Sequence, residues 1–161
     1  EFRRVLFRSH AIQLKALQVL KLNIEVHDPV KALSDNYSLV EYSLETGRSD
    51  FDESDNTIQV MMRIRAGKLA VDSKAPAEKN ELFASEPVSF LVEVGGVFEV
   101  DLETFPRRQI HRFAERNAPL IIYPYVREQV YGLSTRVGIK HMLLPLFEVP
   151  AFTIAQAPKS D

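Results

Sequence analysis

Four segments of this 161-residue chain alternate between apolar and polar residues with a period of two. They are residues 12–26, 40–45, 58–66 and 88–94. Because successive side chains of a β-strand point to opposite faces, the pattern predicts half-buried strands of an antiparallel sheet. In the first segment, the residues predicted to share the buried face are Ile12, Leu14, Ala16, Leu20, Leu22, Ile24 and Val26.

The connection after the fourth segment contains two glycines. Residues 94–96 read VGG, and glycine inside a strand pattern is typical of a bulge or a sharp bend. We therefore expect the fourth strand to end or bend there.

A short helix is predicted within residues 103–117, which read ETFPRRQIHRFAERN. Thr104 is placed to cap its N-terminus, and Pro106 suits its first turn. The apolar stripe of this helix consists of Ile110, Phe113 and Ala114.

A longer helix is predicted within residues 117–138, which read NAPLIIYPYVREQVYGLSTRVG. It begins or kinks near Pro124, which has no backbone N–H, and Gly138 is a natural C-terminal stop. One apolar stripe has helical spacing: Ile122, Val126, Val130, Leu133 and Val137. A second face carries Tyr123, Arg127 and Tyr131. Since the first face can cover the sheet, we expect the second to contact another subunit.

Composition and charge exclude several classes of protein. The chain is 45% hydrophobic and 26% charged and has no cysteine, which is typical of a globular domain without disulfides. Residues 1–9 (EFRRVLFRS) resemble a translated sequencing adapter, so we expect the domain at residues 10–152, followed by a short tail at residues 153–161. Without those nine residues, which hold three Arg and one Glu, the formal net charge changes from −2 to −4. We expect no binding to nucleic acid and no insertion into a membrane.

No catalytic or metal-binding pattern is apparent in the sequence. The four histidines have no metal-ligand spacing: His10, His27, His111 and His141. There is no nucleophile elbow, phosphate-binding glycine loop or H-E-x-x-H motif. We therefore expect a protein that is not an enzyme and that needs no metal or cofactor.

Several motifs resemble the SecB protein-export chaperones. FLVEV at residues 90–94, followed by GGVFEV at residues 95–100, is similar to F-L-x-E-V and G-G-x-F of that family. NAPLIIYPYVRE, at residues 117–128, resembles the family's C-P-x-x-x-F-P-Y-A-R-E, with Ala118 in place of the cysteine and Val126 in place of the alanine. LLPLF, at residues 143–147, resembles its P-V-N-F turn. The resemblance extends from about residue 14 to residue 152.

The resemblance implies an α+β fold, in which a short and a long helix pack on one face of a four-stranded antiparallel sheet. It implies a homotetramer built as a dimer of dimers, with the long helices packed between the dimers. The implied activity is ATP-independent holding of unfolded polypeptides or preproteins in the cytoplasm, with SecA, the translocase motor, as a candidate recipient.

Three sets of site residues are predicted. Apolar area at edge or turn positions predicts client contacts at Tyr42, Leu44, Phe147 and Phe152. The resemblance implies a SecA-binding set of Glu25, Leu91 and Glu93, although Lys21 stands where the family has an acid. The predicted oligomer interface consists of Tyr123, Arg127 and Tyr131.

Three alternatives remain open from the sequence. One is a SecB-like chaperone dedicated to a single client, such as the antitoxin of a toxin–antitoxin pair. Another is a SecB-like domain that serves only as an oligomeric scaffold. The last is a small enzyme, which a cluster of carboxylates or histidines with shifted pKa values in one pocket would support. The family's C-terminal helix and acidic tail are replaced here by TIAQAPKSD at residues 153–161. This difference counts against transfer of clients to SecA.

Overall fold

Four antiparallel strands form one sheet in the order β1-β4-β3-β2 in the computed structural model, which describes residues 9–37, 42–67, 86–140 and 142–146. The strands are β1 (Ile12–Val26), β2 (Ser43–Arg48), β3 (Thr57–Ala66) and β4 (Val88–Val100). The helices are α1 (Pro29–Ala32), a 3₁₀ turn (Arg107–Gln109), α2 (Ile110–Arg116) and α3 (Ala118–Arg136). The predicted α+β fold with a four-stranded antiparallel sheet is confirmed. The one-turn helix α1 was not predicted.

Strands β3 and β4 supply the centre of the hydrophobic core. Alternate residues of each strand are buried beneath the helices, as the period-two pattern predicts. The largest fully buried side chains of these strands are Phe90, Phe98, Ile58, Met62 and Ile64. We call this side of the sheet the core face and the opposite side the outer face.

Two bulges in β1 change which of its residues lie on the core face. Lys15 and Leu20 are the extra residues at two shifts in the register between β1 and β4. Because each extra residue reverses the alternation, the predicted placement of Ala16 and Leu20 on the buried face is wrong. Leu17 and Val19 take their places on the core face.

The two glycines of β4 do not end the strand, which continues to Val100. One of the bulges falls opposite Glu93 and Val94, at the start of the predicted stretch, but its extra residue is Leu20 of β1 rather than a glycine of β4. Gly96 is needed for close packing, because a Cβ atom there would lie 3.0 Å from Leu14 Cδ1 and 3.1 Å from Ile122 Cδ1. Glycine at this position lets α3 approach the sheet.

The short helix begins later than the sequence predicts. Thr104 does not cap it, because its hydroxyl donates to Asp101 Oδ2 at 2.8 Å in the turn that follows β4. Pro106 precedes the 3₁₀ turn, and α2 begins only at Ile110. The predicted apolar stripe is buried and consists of Ile110, Phe113 and Ala114.

The long helix α3 begins at Ala118 and passes through Pro124. The predicted start near Pro124 is therefore about a turn and a half too late. The predicted stop is confirmed, because Gly138 has a φ of +81°, a left-handed conformation that glycine adopts readily. Helix α3 packs mainly on β4 and β3, so Val19 and Leu22 of edge strand β1 remain exposed.

Candidate functional site

A cleft of about 470 Å³ opens between the chain that follows α1 and the chain that follows α3. Its lining residues are Ser34, Asp35, Tyr37, Tyr42, Ile139, Lys140, Met142, Leu143, Leu144 and Pro145. Most of these side chains are aromatic or aliphatic, and a cavity of this size accommodates one or two large apolar side chains. We call this cavity the cleft and residues 142–146 the strap.

Tyr37 and Tyr42 form the aromatic side of the cleft. Both are half-buried and pack against the hydrophobic core. The Tyr37 hydroxyl donates to Glu86 Oε2 at 3.4 Å. Burial, followed by the charge of Glu86, raises the pKa of Tyr37 to about 12, so its phenol is neutral at physiological pH. The site therefore presents two aromatic rings, of which that of Tyr37 carries a neutral phenol.

One charged pair lies at the edge of the cleft. Lys140 Nζ is 3.3 Å from Asp35 Oδ1, and both side chains are well exposed. A pair of this kind in solvent contributes at most about 1 kcal/mol to stability. It therefore adds a polar rim without making the site strongly charged.

The strap forms the opposite wall of the cleft. Met142 and Leu144 are buried, whereas Leu143 is 62% exposed and Leu146 is 76% exposed. Two side chains of α3 hold the strap: the Tyr123 hydroxyl donates to the Pro145 carbonyl, and Arg127 Nε donates to the Leu144 carbonyl at 2.9 Å. The strap thus combines an anchored backbone with exposed leucines beside the cleft.

The structure brings only part of the predicted client-binding set to the cleft. Tyr42 lines it, whereas Leu44 lies on the core face of β2 and packs against the hydrophobic core. Phe147 and Phe152 lie outside the described residues. The client contacts remain predictions, and Tyr42 is the one that coincides with a cavity.

The predicted interface residues differ in their surroundings. Tyr123 is 4% exposed and its hydroxyl is engaged with the strap, while Tyr131 is 47% exposed. Arg127 is half-buried and also contacts the strap. Of the three, Tyr131 therefore offers the most surface to a second subunit, and the interface itself remains a prediction.

The predicted SecA-binding residues share the outer face of the sheet. Glu25 of β1 pairs with Ser89 of β4, and Leu91 and Glu93 follow Ser89 by two and four residues on the same face of β4. Glu93 is buried beneath basic side chains, with Arg63 Nε at 2.8 Å and Lys21 Nζ at 3.9 Å from its Oε2 atom. Its carboxylate is therefore already paired within the sheet.

Several cleft residues were missed by the sequence analysis. Tyr37 is an aromatic residue in a polar stretch just before the predicted second strand, and that contrast was a usable signal. Lys140 and Leu144 carried no such signal, because their role depends on a contact with residues about a hundred positions earlier in the chain.

Within residues 9–37, 42–67, 86–140 and 142–146, no group of three or more acidic, histidine or cysteine residues could hold a metal ion. In the same part of the chain, no helix is both long enough and apolar enough to cross a membrane. Among the described lining residues of the cleft, the aromatic and aliphatic side chains stand beside Ser34, Asp35 and Lys140.

Comparison with known proteins gives three findings. The family profile described as SecB, preprotein translocase subunit SecB, matches residues 9–153. The uncharacterized protein MJ0357 of Methanocaldococcus jannaschii is 36% identical over 76 residues, which are 47% of this chain and 48% of that protein. The chain thus aligns with about half the length of this relative.

The third finding is a structural likeness. The fold is similar to the Mycobacterium tuberculosis Rv1957 SecB-like chaperone, solved in complex with a ChAD peptide from the Rv1956 HigA1 antitoxin. The TM-score is 0.59 at 20% sequence identity, covering 88% of this chain and 94% of that chain. At this identity the likeness concerns the fold.

Proposed function

Because this chain belongs to the SecB family, we propose that it is an ATP-independent chaperone that holds unfolded polypeptides, with the cleft as a client-binding site. The observation that carries the proposal is the lining of the cleft, in which Tyr37 and Tyr42 face an apolar strap. Burial of one large apolar client side chain contributes about 1.5–3 kcal/mol. Contacts at several sites along one client multiply this modest affinity.

A direct experiment tests the holdase proposal. A reduced, slowly folding client is diluted from denaturant with increasing amounts of the protein, without nucleotide, and its aggregation is followed by light scattering. We expect suppression that rises with the protein-to-client ratio. Unchanged aggregation at about a fourfold excess of protomer, on the order of one assembly per client, contradicts the proposal.

We further propose that the protein acts as a cytoplasmic homotetramer, built as a dimer of dimers. Apolar side chains that its own helices leave exposed support this proposal. They include Val19 and Leu22 of β1 and Ile121, Tyr125 and Tyr131 of α3. Exposed apolar surface on both an edge strand and a helix is typical of a chain that buries it against copies of itself.

A chaperone dedicated to one client is the second candidate. It is favoured by the likeness to a SecB-like chaperone that holds an antitoxin peptide. Peptides of identical composition in native and scrambled order separate the candidates. Similar affinities for both indicate a general holdase, while loss of binding on scrambling indicates a dedicated client.

Delivery of clients to SecA is the most specific part of the proposal. The outer face carries Glu25, Leu91 and Glu93 at the positions that the family resemblance assigns to this contact. Pairing of Glu93 with Arg63 and Lys21 reduces the acidic character of that face. Direct measurement of SecA binding tests this part separately from the holding of clients.

A further inference from the structure

We infer that Tyr123 and Arg127 are positioning residues for client binding: they latch the strap to α3 and so hold one wall of the cleft in place. This inference rests on the proposed function of the cleft and adds a role for two residues that do not line it. The sequence pattern had placed both residues at an interface between subunits. In the structure both donate hydrogen bonds to the strap of their own chain.

We call the two hydrogen bonds from Tyr123 and Arg127 to the strap carbonyls the latch. Tyr123 and Arg127 lie four residues apart on α3, so their side chains emerge from the same face one turn apart. Their acceptors are the carbonyls of consecutive strap residues, Pro145 and Leu144. Two side chains spaced by one helical turn thus hold two adjacent peptide units, which limits both translation and rotation of the strap.

The strap depends on these contacts because of its own sequence. Pro145 has no backbone N–H and cannot donate to a neighbouring strand. Residues 142–146 belong to no strand or helix, so no ladder of backbone hydrogen bonds runs along them. Side chains of α3 therefore supply the donors to the strap carbonyls that a neighbouring strand would otherwise supply.

The latch is contiguous with the aromatic side of the cleft. Burial raises the pKa of Tyr123, the nearby phenol of Tyr42 raises it further, and Arg127 lowers it. Tyr123 is therefore a neutral hydroxyl donor at physiological pH, and its bond to the Pro145 carbonyl places it against the strap.

The latch also determines which strap side chains face outward. With the Leu144 carbonyl held by Arg127, the Leu144 side chain is buried and Leu143 and Leu146 are exposed. Loss of the hydrogen bond frees the strap to turn, which exchanges the buried and exposed leucines. The expected effect is on affinity for client, because the cleft loses a defined wall.

Two conservative variants of the full-length protein test the latch. Tyr123→Phe removes one hydroxyl, and Arg127→Gln removes the guanidinium donor. Each is expected to weaken the binding of a fluorescent apolar peptide by on the order of fivefold, the usual effect of losing one hydrogen bond. Arg127→Lys, which retains a cationic donor, is expected to recover part of the affinity. The matched control Arg136→Gln, at an exposed position of the same helix, is expected to bind as the unmodified protein does.

A second readout separates positioning from a general loss of stability. Backbone order parameters measured by nuclear magnetic resonance at Leu143, Leu144 and Leu146 are expected to fall in both latch variants, while the hydrogen-exchange protection of β3 and β4 is unchanged. Peptide affinity and strap order equal to those of the unmodified protein overturn the latch, and the proposed function then stands. Faster exchange across the whole sheet also overturns it, because the residues are then merely structural. Failure of the unmodified protein to bind any apolar peptide refutes the proposed function, and with it the inference.

Discussion

The Glu93 carboxylate accepts a hydrogen bond from Arg63 Nε at 2.8 Å across neighbouring strands of the sheet. This contact is the centre of a row of alternating charge on the outer face, in the order Glu45, Arg63, Glu93 and Lys21, with one residue from each strand. The hydrogen bond to Glu93 also raises the pKa of Arg63. A residue assigned by resemblance to partner binding is therefore part of the sheet's own electrostatic framework.

Glu93→Gln is expected to destabilise the fold by about 1–2 kcal/mol, because the Glu93 side chain is 9% exposed and Arg63 would lose its charged partner. Glu99→Gln is the matched control, since Glu99 pairs with Lys15 at 2.6 Å in a much more exposed setting. Its expected cost is below about 1 kcal/mol. Urea unfolding of both variants is the measurement, and equal losses would contradict this ranking.

Tyr37 is expected to ionise at a pKa of about 12, above its ordinary value of 10.0. Because the folded state holds this proton more tightly, the stabilisation is fully present below pH 10 and is lost as the pH rises toward 12. Tyr37→Phe should remove one late-titrating tyrosine from the ultraviolet absorbance of tyrosinate. It should also flatten the decline of Tm with pH in that range. Tyr123, whose pKa is raised as well, should still titrate late in the variant. Loss of a tyrosine that titrates near the ordinary value of 10.0 instead would place Tyr37 in solvent.

Substitutions in the cleft are expected to reduce suppression of client aggregation without changing the fold. Tyr42→Ser and Leu143→Ser each remove apolar area from the cleft, and each should weaken peptide binding several-fold. Met61→Ser is the control, because Met61 is also exposed but lies on the outer face. Phe147→Ser and Phe152→Ser extend the series to the residues predicted from sequence. Equal effects of Met61→Ser and Leu143→Ser would indicate non-specific adsorption rather than a cleft.

Tyr131→Glu is expected to reduce the molecular mass of the assembly, because burying a carboxylate in an interface is costly. The measurement is multi-angle light scattering, in which the unmodified protein should have four times the mass of one protomer. Glu128→Gln, on the same helix, is a milder control that is expected to leave the assembly intact. A monomeric unmodified protein would refute the tetramer, and a tetrameric Tyr131→Glu would move the interface elsewhere.

Delivery to SecA predicts a measurable contact with the outer face. Glu93→Lys should weaken SecA binding about tenfold or more, because it places a third positive charge beside Arg63 and Lys21. Glu103→Lys, outside the sheet, serves as the control for a change in net charge. Absence of SecA binding by the unmodified protein would confine the function to holding clients.

The sequence alone determined the elements of the sheet and the extent of the long helix's apolar stripe. Period-two alternation identified all four strands, because side chains of a strand alternate between faces wherever the strand lies in the fold. Their bounds differ from the prediction by more than one residue in two cases, since the second strand is Ser43–Arg48 rather than residues 40–45 and the fourth continues to Val100 rather than ending at residue 94. Gly138 marked the end of α3 for an equally local reason, the ease with which glycine adopts a positive φ. The family motifs are local sequence patterns as well, and the topology followed from the resemblance that they carry.

Where the sequence allowed two orientations for a side chain, only the tertiary structure decided between them. The bulges at Lys15 and Leu20 depend on pairing with β4, and no local pattern reveals a register. Arg127 had the same helical spacing for an interface as for a latch, and its partner is a backbone carbonyl 17 residues later. Likewise, the cleft unites Tyr37 with the strap only after the chain has folded. Such contacts between residues distant in sequence depend on how the elements pack, which local propensity does not specify.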